Sequence, residues 1–202
     1  MILKKGFETV EKEDVMDEKS RSWLSKVRKI PLFIGAFLLV YYANTDAKFH
    51  KILIGMLLVF LGEGIRIWAA GHLQKNEVLT VTGPYAYVKN PLYIGSIFIT
   101  TGFCIMADNV YLLAAAFFMF CFHYIPYKKK VEGDRLKKRF GNQYEDYDEK
   151  VPEYLPRRKR YSDQKGSWQV KHFIENSEEG ILVIVLAGIL LVLSRPYWNL
   201  FF

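Results

Sequence analysis

Long apolar stretches alternate with charged segments along the chain, and this alternation predicts membrane-spanning helices. A helix needs roughly 20 apolar residues to cross the hydrocarbon core of a bilayer, or fewer where aromatic or polar ends reach the interface. Five stretches approach this length, at 30–45, 52–71, 92–107, 109–127 and 180–194. The sequence therefore predicts an all-α polytopic membrane protein with about five transmembrane helices.

The third and fourth apolar stretches are separated only by Asp108 and Asn109. Asp-Asn is a turn pair that cannot cross lipid. Asp108 is also the single formal charge among the 38 residues 90–127. We therefore expect these two stretches to form a helical hairpin.

The second stretch contains two charged residues, Glu63 and Arg66, three positions apart on one helix face. Charges within a membrane helix are candidates for function. A mutually neutralising structural pair is the alternative, and Arg66 could also extend its head group to the nearby interface.

The distribution of basic residues predicts the orientation in the membrane. The N-terminal arm, the segment between the second and third stretches and the segment after the fourth carry 8, 2 and 14 of the 28 lysines and arginines. Cytoplasmic segments carry the excess of basic residues. These three segments are therefore expected in the cytoplasm. We divide the chain into a cytoplasmic arm (1–29), a membrane core (30–160), and a linker with a C-terminal transmembrane helix (161–202).

Composition argues against several other classes of protein. Cys104 and Cys121 both lie in apolar stretches, so neither a disulfide framework nor a cysteine zinc site is expected. His123 has no second ligand at metal spacing, and we expect no metal. The net charge of +7 comes with acidic residues interleaved through 128–160. Anionic lipid head groups explain this surplus, and no nucleic-acid partner is expected.

A loop rich in proline, glycine and tyrosine precedes the third stretch, with the sequence TVTGPYAYVKNPLYIG at 80–95. Gly83-Pro84 and Asn90-Pro91 are turn signals, and the residue before each proline is biased away from the helical region. Irregular backbone at membrane depth must be buried in protein or line a polar cavity. The alternative is a simple loop that leads into a helix starting near Pro91.

A second unusual segment, 128–156, follows the fourth stretch. Glu132, Leu136 and Phe140 recur every four residues, which places them on one face of a helix continuing from the membrane. Gly141 is expected to end this helix. Lys128 shares a face with Glu132, and the alternative is an amphipathic interfacial helix with a routine ion pair.

Together the two segments resemble one family of membrane enzymes. A GPYxYx(R/K)(H/N)PxYxG loop before a hairpin, and Ex3Lx3FGx2Yx2Yx3VPx2LP after it, resembles isoprenylcysteine carboxyl methyltransferases and related phospholipid methyltransferases. The resemblance covers roughly 66–156. It implies an integral membrane methyltransferase with a cytoplasmic site for S-adenosylmethionine, held between the loop and the helix after the hairpin. The acceptor would be lipophilic and would enter from the bilayer.

The resemblance also assigns residues. It implies cofactor contacts at His72 or Gln74, Glu77, Val78, Leu79, Thr80, Tyr85, Asn90, Pro91, Leu92, Tyr93 and Glu132. Lys128 stands where the family has a substrate-facing arginine, and we take Lys128 and Glu132 as the catalytic pair. Three departures from the family are Asn90 for histidine, Gly133 for an acid, and Lys128, which lacks the planar fork of arginine.

The chemistry of the cofactor agrees with these residue types. A sulfonium favours aromatic faces, and an ammonium favours an acid. Tyr85, Tyr87, Tyr93 and Glu132 supply both. The acceptor stays open among a prenylcysteine carboxylate, an aminophospholipid and another amphiphile. The alternatives to this enzyme class are a membrane reductase of the sterol-reductase type, which binds a nicotinamide nucleotide, and a non-enzymatic membrane scaffold.

Overall fold

The regular structure in the described part of the chain is helical throughout. A computed structural model describes residues 48–74, 78–164, 166–195 and 197, and for 123–132 it describes the backbone alone. The predicted arm (1–29) and the first apolar stretch (30–45) lie outside the described residues.

The longest helix, α1, is Phe49–His72 and contains the second predicted stretch. Its 24 residues span about 36 Å, enough to cross a bilayer. Within the described ranges it is the one helix both long and apolar enough to do so, while Pro91–Met106 and Val110–Phe122 are shorter apolar helices. The count of five transmembrane helices therefore stays a prediction.

The predicted hairpin is present. Helix α2, Pro91–Met106, starts with proline at its first position, where the missing N–H costs nothing. Asp108 turns the chain with a positive φ of 48°. The side chain of Asn109 then accepts hydrogen bonds from the backbone N–H groups of Tyr111 and Leu112 and caps helix α3, Val110–Met119.

The chain continues from the hairpin into a polar helix, as predicted. One π-helical segment, Phe120–Tyr124, connects α3 to α4, Ile125–Phe140. Gly141 ends α4 with a φ of 52°, which favours glycine because it has no Cβ. Helix α5, Asn142–Lys150, follows directly.

Glycines allow α1 and α2 to pack backbone to backbone. An added Cβ on Gly62 would lie 2.5 Å from the carbonyl oxygen of Gly95, and one on Gly95 would lie 2.6 Å from that of Gly62. Gly55 and Gly102 form an equivalent reciprocal pair at 2.5 and 2.6 Å. Small residues at such crossings are typical of helix pairs in membranes.

Two further helices, α6 (Val170–Glu175) and α7 (Glu178–Ser194), complete the described part of the chain. The segment around α6 caps the C-terminal end of α1. Trp168 Nε1 donates to the carbonyl of Ile67 at 2.9 Å, and Asn176 Nδ2 donates to Ala70 at 3.2 Å and Leu73 at 3.0 Å. Carbonyls that a helix end leaves without partners are satisfied in this way.

Helices α1, α3 and α7 each expose large apolar side chains. An exposed apolar surface of this extent is typical of a region that contacts lipid or a partner. More than a third of each of these side chains is exposed: Phe49, Leu53, Ile54, Leu57, Phe60, Leu61 and Trp68 on α1; Val110, Tyr111, Phe117, Phe118 and Met119 on α3; Val183, Ile184, Leu186, Leu190, Leu191 and Leu193 on α7.

The partner of Arg66 differs from the one the sequence suggested. Arg66 pairs with Glu178 at the start of α7, with Nη2 2.7 Å from Oε1 and 2.8 Å from Oε2. Both oxygens of the buried Glu63 lack a hydrogen-bond donor among the described residues. The alternative of a mutually neutralising pair between Glu63 and Arg66 is therefore not what the structure shows, because a carboxylate from a distant helix binds the guanidinium.

Candidate functional site

A cavity of about 320 Å³ lies between the loop before α2 and the helices after the hairpin. This volume is at the lower end of the roughly 300–1,000 Å³ of ligand pockets. Its far wall comes from α4, α5 and the chain beyond them: Gly133, Asp134, Arg135, Leu136, Lys137, Phe140, Tyr144, Tyr147, Asp148, Glu153 and Tyr154.

The near wall contains most of the residues that the family resemblance assigns to the cofactor. They come from two short segments, one after α1 and one at the start of α2: Gln74, Val78, Leu79, Thr80, Tyr85, Asn90, Pro91, Leu92 and Tyr93. The loop and the polar helix that the sequence singled out separately thus face each other across one cavity.

Three assigned residues lie outside what the structure describes in full. Glu77 falls in the gap between the described ranges. Lys128 and Glu132 lie on α4, whose backbone is described at these positions. Glu132 directly precedes Gly133, which lines the cavity. The roles given to Lys128 and Glu132 stay predictions.

His72 lies beneath the loop and outside the cavity lining. It is buried, and its Nδ1 lies 3.5 Å from Thr82 Oγ1. An added Cβ on Gly83, which has a φ of 58°, would lie 2.4 Å from the His72 ring. His72 therefore supports the turn of the loop, whereas Gln74 reaches the cavity.

Arg66 holds the start of α2, where four of the assigned residues lie. Its Nη1 donates to the carbonyl of Leu92 at 3.1 Å and to Ser96 Oγ at 2.6 Å. Its other nitrogens bind Glu178, so that one buried guanidinium joins α1, α2 and α7. The cavity wall at Leu92 is thereby anchored to the C-terminal helix.

A second layer, residues 152–161, runs along the outside of the loop. The backbone N–H groups of Arg157 and Tyr161 donate hydrogen bonds to the loop, and the backbone carbonyl of Pro152 accepts one from it. Backbone polar groups of the loop thus find partners although no regular sheet is formed. Three backbone hydrogen bonds join the two segments: Lys89 N to Pro152 O at 2.9 Å, Arg157 N to Tyr87 O at 3.0 Å, and Tyr161 N to Ala86 O at 2.9 Å.

Tyr147 of α5 ties the helix to the loop from the inside. Its side chain is 3% exposed, and its hydroxyl donates to the carbonyl of Tyr85 at 2.8 Å. Burial raises the pKa of Tyr147 above its ordinary value, so the hydroxyl stays a donor. Tyr161 packs edge-on against this ring, and a hydrogen bond to Asp146 raises the pKa of Tyr161 to about 12.

We predict that Tyr147→Phe lowers the free energy of unfolding by about 1–3 kcal/mol, because the buried carbonyl of Tyr85 loses its donor. Thermal unfolding in detergent measures the loss. Tyr161→Phe is the matched control, since its hydroxyl bonds to a carboxylate on the surface. Equal decreases in the free energy of unfolding of the two variants would show that the buried hydrogen bond of Tyr147 stabilises the protein no more than the surface one of Tyr161.

The family motif contains Tyr147 but does not indicate its role. The available signal is that the polar helix NQYEDYDEK contains two tyrosines, because a ring in such a helix is expected to turn inward with its hydroxyl on a partner. The identity of that partner, a loop carbonyl 62 positions away, depends on the tertiary structure.

Comparison with known families gives this arrangement a context. Residues 50–143 match the phospholipid methyltransferase family, and this range holds α1, the loop, the hairpin and α4. The match covers a little under half of the chain. It supports the methyltransferase family that the two motifs indicated, and so confirms the expectation at the level of the family.

Three curated proteins are similar to the chain at lower identity. The cobalt-zinc-cadmium resistance protein CzcN of Cupriavidus metallidurans is 27% identical over 71% of this chain and 67% of its own length. The nickel-cobalt-cadmium resistance protein NccN of Alcaligenes xylosoxydans xylosoxydans is 29% identical over 52% and 49%. The protein-S-isoprenylcysteine O-methyltransferase of Schizosaccharomyces pombe is 25% identical over 63% and 55%.

The chain thus spans about half to two thirds of the length of these relatives. No solved structure matches it significantly. Two relatives are named for metal resistance, whereas the residues described here contain no group of three or more metal-ligating side chains placed to hold an ion.

Proposed function

We propose that this protein transfers the methyl group of S-adenosylmethionine to a lipophilic acceptor in the membrane, as an isoprenylcysteine carboxyl methyltransferase does. One observation carries the proposal. Nine residues that the family resemblance assigns to the cofactor line a single cavity, although they come from separate segments of the chain.

The cavity lining suits the cofactor chemically. Tyr85 and Tyr93 offer aromatic faces to a sulfonium, and Asn90 offers an amide for hydrogen bonding. Glu132, one residue before the lining begins on α4, is proposed to bind the ammonium. When bound, S-adenosylmethionine supplies an already activated methyl group, so the protein has to align the acceptor and exclude water.

Lys128 is proposed to attract the acceptor. It lies one helical turn before Glu132 on α4, toward the membrane end of the helix. As a point charge it favours an anionic group, such as a prenylcysteine carboxylate. An aminophospholipid would have to lose a proton before or during transfer and would need a base.

We propose an active site that faces the cytoplasm, from the distribution of basic residues in the sequence. The cavity lies where α1 ends and α2 begins, which is one end of the packed helix pair. We keep the division into an arm (1–29), a membrane core (30–160) and a C-terminal linker and helix (161–202) as part of this proposal.

Ligand binding to the detergent-purified protein tests the proposal. S-adenosylmethionine or its demethylated product should bind with a micromolar Kd in calorimetry, and NADPH should not bind. NADPH binding alone would point to a nicotinamide reductase. Binding of none of the three ligands to folded protein would leave a membrane scaffold without methyltransferase activity.

We predict that Glu132→Gln weakens cofactor binding about tenfold to a hundredfold, since a hydrogen bond to a charged group contributes about 1.5–3 kcal/mol. Calorimetry with the demethylated product measures this effect. Glu149→Gln, at an exposed position of α5, is the matched control and should leave the Kd unchanged. An unchanged Kd for Glu132→Gln would favour an exposed ion pair, worth under about 1 kcal/mol, over a cofactor contact.

A further inference from the structure

One exposed apolar side chain lies on the outer surface of the cavity wall. Leu155 is 81% exposed, in a chain segment that is otherwise bound to the loop. Its neighbours Glu153 and Tyr154 line the cavity on the other side of the same short turn. An exposed leucine contributes no hydrophobic free energy from burial unless a lipid or a partner covers its side chain.

Basic residues follow Leu155 directly. Arg158, Lys159 and Arg160 are exposed, and none of them forms an ion pair within the described residues. One exposed acid, Asp163, lies three positions beyond them. We call residues 155–160 the basic turn. Arg160 donates a hydrogen bond to the carbonyl of Gln164 at 3.4 Å, which leaves its charge unneutralised. A leucine beside several exposed cations is typical of a surface that inserts into the interface of an anionic bilayer.

The position of the basic turn suits this role. Its backbone is bonded to Tyr87, which lies a few residues before α2, and α2 packs closely on α1. The basic turn is therefore held near the start of α2, and α2 packs on α1, whose outer face exposes large apolar side chains.

We propose that the basic turn docks onto anionic lipid head groups, with Leu155 inserted among them. This docking concerns the membrane surface and needs neither cofactor nor methyl transfer. A failure of S-adenosylmethionine binding would thus refute the proposed function and leave the docking untouched.

A fluorescent reporter at position 155 tests the docking on the full chain. The variant Leu155→Cys is labelled with the environment-sensitive dye NBD in a Cys121→Ser background, while Cys104 is buried and stays. The protein is placed in nanodiscs of phosphatidylcholine alone or of phosphatidylcholine with phosphatidylglycerol. We expect a shift of the emission to shorter wavelength, and quenching by nitroxide-labelled lipid, in the anionic discs alone.

Charge removal provides the second comparison. Replacing Arg158, Lys159 and Arg160 by glutamine should abolish the shift, since each basic residue near an anionic leaflet changes affinity about fivefold. Salt at about 1 M should also abolish it, because the Debye length falls to about 3 Å. The same dye at Glu149→Cys, an exposed site on α5, should show no lipid dependence.

Two outcomes would overturn the proposal. Emission typical of a dye in water, observed in anionic discs, would mean that the basic turn does not reach the bilayer. Its charges would then be available to bind an acidic protein or a nucleic acid instead. Identical blue-shifted emission in both lipids, insensitive to salt, would mean that Leu155 is buried without any contribution from anionic head groups.

Discussion

Replacing Arg66 with methionine should lower the free energy of unfolding by about 3–5 kcal/mol, the cost of breaking a buried ion pair by removing one partner. Glu178 would keep its carboxylate in a buried position without the two nitrogens that now bind it. The carbonyl of Leu92 and the hydroxyl of Ser96 would lose a donor as well. Unfolding in detergent micelles, followed by circular dichroism, measures this loss.

The chain offers a control and a rescue for this variant. Lys51→Met breaks the pair between Lys51 and Asp108, whose side chains are 38% and 20% exposed, and should cost under about 1 kcal/mol. The double variant Arg66→Met with Glu178→Met removes both charges and should recover much of the stability. A double variant as unstable as the sum of the two single variants would show that Arg66 and Glu178 act independently.

Helices and turns were predictable where a local pattern determines them. Asp108 and Asn109 interrupt an otherwise apolar stretch, and the structure places the hairpin turn there. Helix α4 ends at Gly141 because the backbone adopts a positive φ at this residue, a conformation that glycine adopts readily. Both features depend on the properties of one or two adjacent residues, which the sequence shows directly.

Long-range partners were not predictable in the same way. Arg66 and Glu178 are 112 positions apart, and nothing local distinguishes Glu178 from Glu63 as the partner of Arg66. The segment at 168–176 shows no sign in sequence that it caps α1, because its donors act on carbonyls that any helix end presents. The cavity residues were identified through the family motifs, since no periodicity links Gln74 with Tyr93.

Gly62→Ala should destabilise the protein by about 3 kcal/mol or more, at or above the upper end of the cost of overpacking. The added Cβ would lie 2.5 Å from the carbonyl oxygen of Gly95, a backbone atom that no side-chain rotation can move away. Helices α1 and α2 would have to separate along their whole contact. The same unfolding measurement in detergent gives the size of the effect.

Gly64→Ala provides a matched control two positions along the same helix, since an added Cβ there has no neighbour within 4 Å. In the interior of a helix this change should be neutral or should stabilise by up to about 1 kcal/mol, because glycine is the poorer helix former. Gly62→Ala with Gly95→Ala should cost less than the sum of the two single variants, because either methyl group already forces the same separation of the helices. Equal stabilities of Gly62→Ala and Gly64→Ala would contradict the close backbone contact, and with it the geometry that brings Arg66 of α1 to Leu92 of α2.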